Sequence, residues 1–218
     1  MQSSMADGAF WASLLAGWAD ADLAAPGAQS LMTSMRERDV ALDPTLDITR
    51  FGMGTPRPEG DSDPNLRYVR ADLREMWQLR RATAPGRPPG EQAIADRGHA
   101  KCDEFVRRYH EMGGRVVAGT DVGAVGGLVP GFSLHAEIAM LVRAGLSPAA
   151  ALRAATLDAA RALRIDAETG SIEPGKSADL VILEADPLAD IRNLGRTRTV
   201  LRDGVCHESA ALLAAVAG

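Results

Sequence analysis

The segment Arg115 to Gly123, RVVAGTDVG, constrains this chain more than any other. Val116, Val117 and Ala118 follow one another without the alternation of a strand that keeps one wet face. A strand of that kind is buried on both faces, as in parallel sheets and barrels covered by helices. Gly113 and Gly114 form a natural helix stop just before it, so helix, strand and loop follow in immediate succession. The strand delivers a single carboxylate, Asp121, to its carboxyl end. An acid placed there is costly to desolvate unless a cation, a donor or a proton offsets it. The spacing alone leaves two readings open. Asp121 caps the next helix or bonds a neighbouring backbone, or it serves as a metal ligand or general base.

The chain has 218 residues, enough for one large domain or two modest ones, and 46% hydrophobic residues supply a core. A net charge of -5 gives no broad basic surface, which argues against nucleic acid or anionic lipid as a partner. Cys102 and Cys206 form neither a disulfide framework nor a CxxC pair, and two free thiols favour a reducing compartment. Gly8 to Ala19, GAFWASLLAGWA, has the apolar character of a signal segment. However, no Lys or Arg precedes Arg36, and Asp7 stands where positive charge belongs. No apolar run reaches the roughly 20 residues that span a bilayer. The expectation is a soluble, cytoplasmic chain; a longer, complete protein would leave room for a signal peptide.

Apolar spacing predicts helices over residues 4–20, from Pro26 to about Arg38, from Tyr68 to Arg81, and from Glu91 to about Met112. Val40 to Ile48 reads as a strand stopped by Pro44. Residues 50–66 and 84–90 are turn-rich, so 50–90 forms a long insertion, either a lid or a solvated surface excursion. After the loop GAVGGLVPG, Phe132 to Ala144 reads as a helix closed by Gly145. Ser147 as N-cap and Pro148 at the first helical position open a further helix over PAAALRAATLDAARAL. Beyond residue 165 the composition changes. A β-rich run at Leu180 to Leu183 is followed by two strand pieces around Asp203-Gly204, a hairpin signal.

Taken in order, GTD, LHAE, AGLSPAAALRAAT, GSIEPGKSADLV and DPLADI resemble the C-terminal half of the amidohydrolase superfamily. The nearest branch is that of imidazolonepropionase-like and Xaa-Pro-dipeptidase-like enzymes. The resemblance runs from RDVALDPTL to VLRDG and leaves the 50–90 insertion unmatched. It implies an α/β fold: the C-terminal part of a (β/α)8 TIM-like barrel in residues 1–165, and part of a small β-sandwich in residues 166–218. It also implies a metal-dependent hydrolase of a C–N bond in a small amide, cyclic amide or dipeptide-like substrate, with one or two divalent ions, zinc foremost. Asp121 takes the place of the acid that closes the last barrel strand. There the family's acid binds metal, accepts a proton from the attacking water and passes it to the leaving nitrogen, consistent with general metal-hydrolase chemistry. Thr120 would orient the loop, and His135 and Glu137 would buttress the rim; a hydrogen-bonded structural pair is the competing reading of those two. Thr156 would stabilise its local turn.

The family's remaining ligands are an HxH pair, a Lys and two further His. This sequence contains no HxH, and its histidines are His99, His110, His135 and His207. His99, Cys102 and Asp103 share one helical face, a spacing common on solvated helices. His110 reads as a surface residue near a helix end, and His207 as incidental. A barrel needs eight strands, whereas two are readable here, as the seventh and eighth. The expectation is therefore a C-terminal portion that begins just after the sixth strand's His and is inactive alone. Its missing half, or a second copy, would be a partner. Rival readings are a non-catalytic subunit that pairs with a separate N-terminal half, and a small metalloprotein built on His99 and Cys102.

Overall fold

A computed structural model describes residues 8–52, 63–83, 89–123 and 127–216. The start of the first predicted helix, most of the 50–66 loop, nearly all of the 84–90 turn and part of the GAVGGLVPG loop lie outside the described residues.

The chain opens with two helices, α1 (Gly8–Ala19) and α2 (Pro26–Glu37), the second started by proline at its first turn. A strand β1 (Ala41–Leu42) pairs in parallel with β2 (Arg115–Val116), with Ala41 opposite Arg115 and Leu42 opposite Val116. Between them lie α3 (Ala71–Thr83) and the long α4 (Pro89–Glu111). After β2 come α5 (Phe132–Ala144), α6 (Pro148–Ala154) and α7 (Leu157–Leu163). A three-stranded antiparallel sheet follows, β3 (Leu180–Leu183), β4 (Thr197–Arg202) and β5 (Val205–Glu208), and α8 (Ser209–Val216) closes the described chain. This last helix is almost uniformly apolar and Ala-rich, so no helical spacing marks it in the sequence.

The main core gathers Met32, Leu46, Val106, Tyr109, Val116, Ile138, Leu141 and Leu146 around the two parallel strands. Tyr109 is fully buried, and its hydroxyl donates to the Val40 carbonyl at 2.6 Å, which ties α4 to the entry of β1. Gly114 is required beside it, because a Cβ there would meet the Tyr109 ring at 2.5 Å. Helices α1 and α4 approach closely at Gly98, where a Cβ would lie 2.5 Å from the Leu15 carbonyl oxygen. The 3-10 turn Ile191–Gly195 inserts Ile191 and Leu194 into the same core, joining the C-terminal segment to the helical layer.

Two expectations need correction. The strand drawn from Val40 to Ile48 is paired over two residues only. Beyond Pro44 the chain enters a one-turn π-helix, Ile48–Gly52. The helix drawn through Pro148 to Leu163 is two helices. Thr156 turns its hydroxyl back onto the Leu152 carbonyl at 2.8 Å, and its backbone leaves the helical region at φ -127, ψ -96. A threonine bonded to the carbonyl four residues earlier competes with the helix ladder. The amide of Ala118 takes the Ala154 carbonyl at 3.1 Å, so β2 also draws on the end of α6. Val116 is buried, whereas Val117 and Ala118 are half-buried. Among the described residues β1 and β2 have no other strand partner to cover them.

Elsewhere local rules held. Ser147 accepts the Ala150 amide at 3.2 Å as N-cap, and Gly145 closes α5 in the left-handed region. Asp203 and Gly204 both have positive φ, 49 and 79, as a two-residue hairpin between right-twisted strands requires. Asp179 secures that turn by pairing with Arg202 and accepting the Asp203 amide. No helix among the described residues is long and apolar enough to cross a membrane.

Candidate active-site rim

Parallel β1 and β2 end side by side, so the residues just after each strand share one rim. After β2 this places Asp121, exposed and in the left-handed region at φ 50. Thr120 beside it accepts the Val122 amide at 3.4 Å, a local turn contact. After β1 it places Asp43, which the sequence reading passed over. Asp43 is exposed as a residue, yet its carboxylate is tucked against Gly119 at the strand exits, near the Gly119 and Thr45 amides. Partial desolvation pushes its carboxyl above the usual range against the pull of those amides, and the charge of Asp121 adds to the rise. A Cβ on Gly119 would overlap the Asp43 carboxylate, so glycine is needed there for space. The available signal was an acid closing an apolar run in VALDP, as Asp121 follows the apolar run of VVAGTD after Gly119 and Thr120.

Behind the rim, Glu137 on α5 is fully buried. Its Oε1 accepts the Leu46 amide at 2.9 Å and its Oε2 the Asp47 amide at 2.7 Å. Burial pushes the Glu137 carboxyl up to about 7, opposed by those two amides and reinforced by the charges of Asp47 and Asp43. His135 is half-buried, and desolvation lowers its pKa. It lies edge-on to Phe132 at 6.3 Å rather than bonded to Glu137, so the two are not a mutual pair. Phe132 in turn stacks on Tyr68 at 5.4 Å. The described start of the 63–83 stretch thus packs on α5, around a cavity of about 250 Å³ lined in part by Asp63, Asn65 and Ser133. Most of α3 is exposed.

The helical trio of His99, Cys102 and Asp103 faces inward, not into solvent as its spacing suggested. His99 is buried with Nε2 3.2 Å from the Thr49 carbonyl, and Asp103 accepts both hydrogen bonds of the Arg50 guanidinium, at 2.9 and 3.1 Å. These contacts hold the π-turn against α4. Burial, with the charge of Asp103 adding, pushes the Cys102 thiol up to about 12. Reactivity follows the thiolate, so iodoacetamide at pH 8 is expected to modify exposed Cys206 at least about a hundredfold faster than Cys102 in the native chain. Peptide mass spectrometry with and without urea checks this, and equal native rates would show that Cys102 is accessible. His110 and His207 are half-buried and apart from the rim. Among the described residues no group of three or more His, Cys, Asp or Glu is arranged to hold a metal ion. A zinc site needs four ligands or three plus water, and the rim offers Asp121 with Asp43 beside it.

Adjacent parallel strands joined through helices, with acids beyond the strand ends, make a local α/β arrangement. The amidohydrolase family model matches residues 96–205, and the chain belongs to that family, whose members are generally metal-dependent hydrolases of C–N bonds. An imidazolonepropionase of Picrophilus torridus is 50% identical over 50 residues, 23% of this chain and 13% of that protein. Bottromycin amidohydrolase is 32% identical with a TM-score of 0.60, over 81% of this chain and 40% of that one. A Xaa-Pro dipeptidase with bound methionine in its active site superposes with a TM-score of 0.56 at 24% identity, over 82% of this chain and 37% of that one, a likeness of fold. The chain thus spans well under half the length of each.

Proposed function

We propose that this chain is the C-terminal working part of a metal-dependent amidohydrolase that cleaves a C–N bond in a small amide, cyclic amide or dipeptide-like substrate. In this reading residues 1–165 contribute the last two strand–helix units of a TIM-like barrel, and residues 166–218 part of a β-sandwich. The observation that carries it is the position of Asp121 in the segment leaving β2, close enough for its charge to act on Asp43, which follows parallel β1, in a chain of this family. Asp121 is the residue that would hold the proton, taking it from the attacking water and returning it to the leaving nitrogen. A divalent metal, zinc in this proposal, supplies water of lowered pKa when bound. Asp121 would be one of its ligands, and the rest must come from outside the described residues.

The test compares the chain alone with the chain co-expressed with a barrel segment that carries HxH. The chain alone is expected to hold no stoichiometric zinc by plasma mass spectrometry and to turn over nothing. The assembled protein is expected to hydrolyse a model amide and to lose activity about a thousandfold in Asp121→Asn, within the range of general acid–base contributions. Tight stoichiometric zinc and amide hydrolysis by the chain alone, or an assembled Asp121→Asn enzyme of full activity, would reject the proposal. Assembly into a stable but inactive pair would favour the partner-binding reading.

A further inference from the structure

We propose that Glu137 is a positioning residue that ties the exit of β1 to α5 and, through Asp43, sets the Gly119–Asp121 loop at the rim; its catalytic consequence rests on the hydrolase reading above. A fully buried carboxylate requires donors, and Glu137 has one for each oxygen, the amides of Leu46 and Asp47, about ninety residues away in sequence. Those two amides belong to the segment between Pro44 and the π-turn, outside any strand pairing. Leu46 and Asp47 are themselves buried, so losing the Glu137 carboxylate would strip both amides of these bonds away from water. The same turn begins at Asp43, whose carboxylate packs so closely on Gly119 at the exit of β2 that a Cβ there would overlap it, with the Thr45 and Gly119 amides drawing its charge.

The tie therefore runs α5, Glu137, Leu46–Asp47, Asp43, Gly119, Asp121. Two non-glycine residues with positive φ lie along it, Thr45 at 44 and Asp121 at 50. Such conformations persist where the surroundings over-determine them. The Glu137 bonds behind the first strand exit and the close packing of Asp43 on Gly119 at the second supply that determination. A Glu137 that merely filled space would be replaceable by glutamine with no effect on the loop after β2. Glutamine keeps the volume but presents an amide group to one of the two N–H donors, so one bond is lost.

The elevated carboxyl of Glu137, at about 7, makes the tie observable in solution. The charged groups that act on it are Asp47 and Asp43, from the β1 exit. His135, on its own helix, is displaced to lower pH by burial. Protonation converts one acceptor oxygen into a donor facing an N–H, and that bond weakens.

The experiment uses the full chain labelled with 15N, followed from pH 5.5 to 8.5. The Leu46, Asp47 and Gly119 amide resonances are expected to move with a common midpoint near 7. Glu137→Gln is expected to abolish that movement and to raise hydrogen exchange at all three amides at least tenfold, with the rest of the spectrum still dispersed. Asp43→Ala should keep the movement at Leu46 and Asp47 and remove it at Gly119, and His135→Asn should leave all three unchanged. A Glu137→Gln effect confined to Leu46 and Asp47 would refute the tie to the Asp121 loop. Leu46 and Asp47 amides that exchange in the wild-type chain as fast as exposed amides would overturn the proposal even if the variant failed to fold, because the Glu137 bonds that shield them would be absent. None of these readouts needs turnover, so an inactive assembled enzyme would sink the hydrolase reading and leave this result standing.

Discussion

Gly119→Ala is expected to lower the unfolding free energy by about 2 kcal/mol, the cost of overpacking. The reason is steric. Gly119 is not among the glycines with positive φ, so alanine fits its backbone, but the new methyl would overlap the Asp43 carboxylate. Asp43 must then swing away from Gly119 and from the amides that draw its charge. A double-mutant cycle with Asp43→Ala isolates the effect, because residues in contact show non-additive energies. Urea unfolding of the two singles and the double should show the Gly119→Ala penalty shrinking by more than half once the carboxylate is gone. A penalty of equal size in both backgrounds would mean that the methyl meets something other than Asp43.

The second large effect is a stability that falls as pH rises. Glu137 is displaced from 4.5 in a free side chain to about 7 in the fold. Between those values the native chain holds a proton that the unfolded chain has released, so unfolding gains ground with rising pH. This group's contribution is fully present below the unfolded value and lost as pH climbs through about 7, a change of about 3 kcal/mol in total. Asp43, also raised, acts in the same direction. His135, lowered by burial, has the opposite sign, since the unfolded chain holds its proton to higher pH. The exposed carboxylates of Asp72 and Asp190, held low by Arg70 and Arg192, act below this window. Glu137→Gln separates the terms. Urea midpoints from pH 5.5 to 8.5 should slope downward in the wild-type chain and less in the variant. Parallel slopes would assign the pH dependence elsewhere.

The two effects meet at one turn. Glu137 bonds Leu46 and Asp47 from behind while Asp43 packs on Gly119 in front, so loosening either end should be felt at Asp121. In the proposed hydrolase the proton-holding acid is exposed, and its orientation depends on buried polar contacts one layer away. Pre-organisation of this kind is what keeps a reacting group from paying reorganisation during the reaction.

Much of this protein was legible in its residues. Ser147-Pro148 opened a helix, Gly145 closed one, Gly113-Gly114 separated helix from strand, and Asp203-Gly204 turned a hairpin, each where local rules require. These features involve groups a few residues apart, and the chemistry of capping and left-handed backbone acts at that range. The ordered motifs from GTD to DPLADI carried the family, which the comparisons bore out, and placed attention on Asp121.

What the sequence could not decide was which distant groups meet. The length of β1 was set by where Pro44 and the π-turn draw the chain off, and the split between α6 and α7 by Thr156 together with a carbonyl shared with β2. Asp43 became a rim residue only when Gly119 came beside it, and Glu137 became a clamp only when its helix met amides some ninety residues back. His99 and Asp103 likewise exchanged an apparent wet face for contacts with Thr49 and Arg50. Hydrogen bonds and burial across such separations follow from packing, whose partners are chosen by the whole fold, while turns and caps answer to their immediate neighbours.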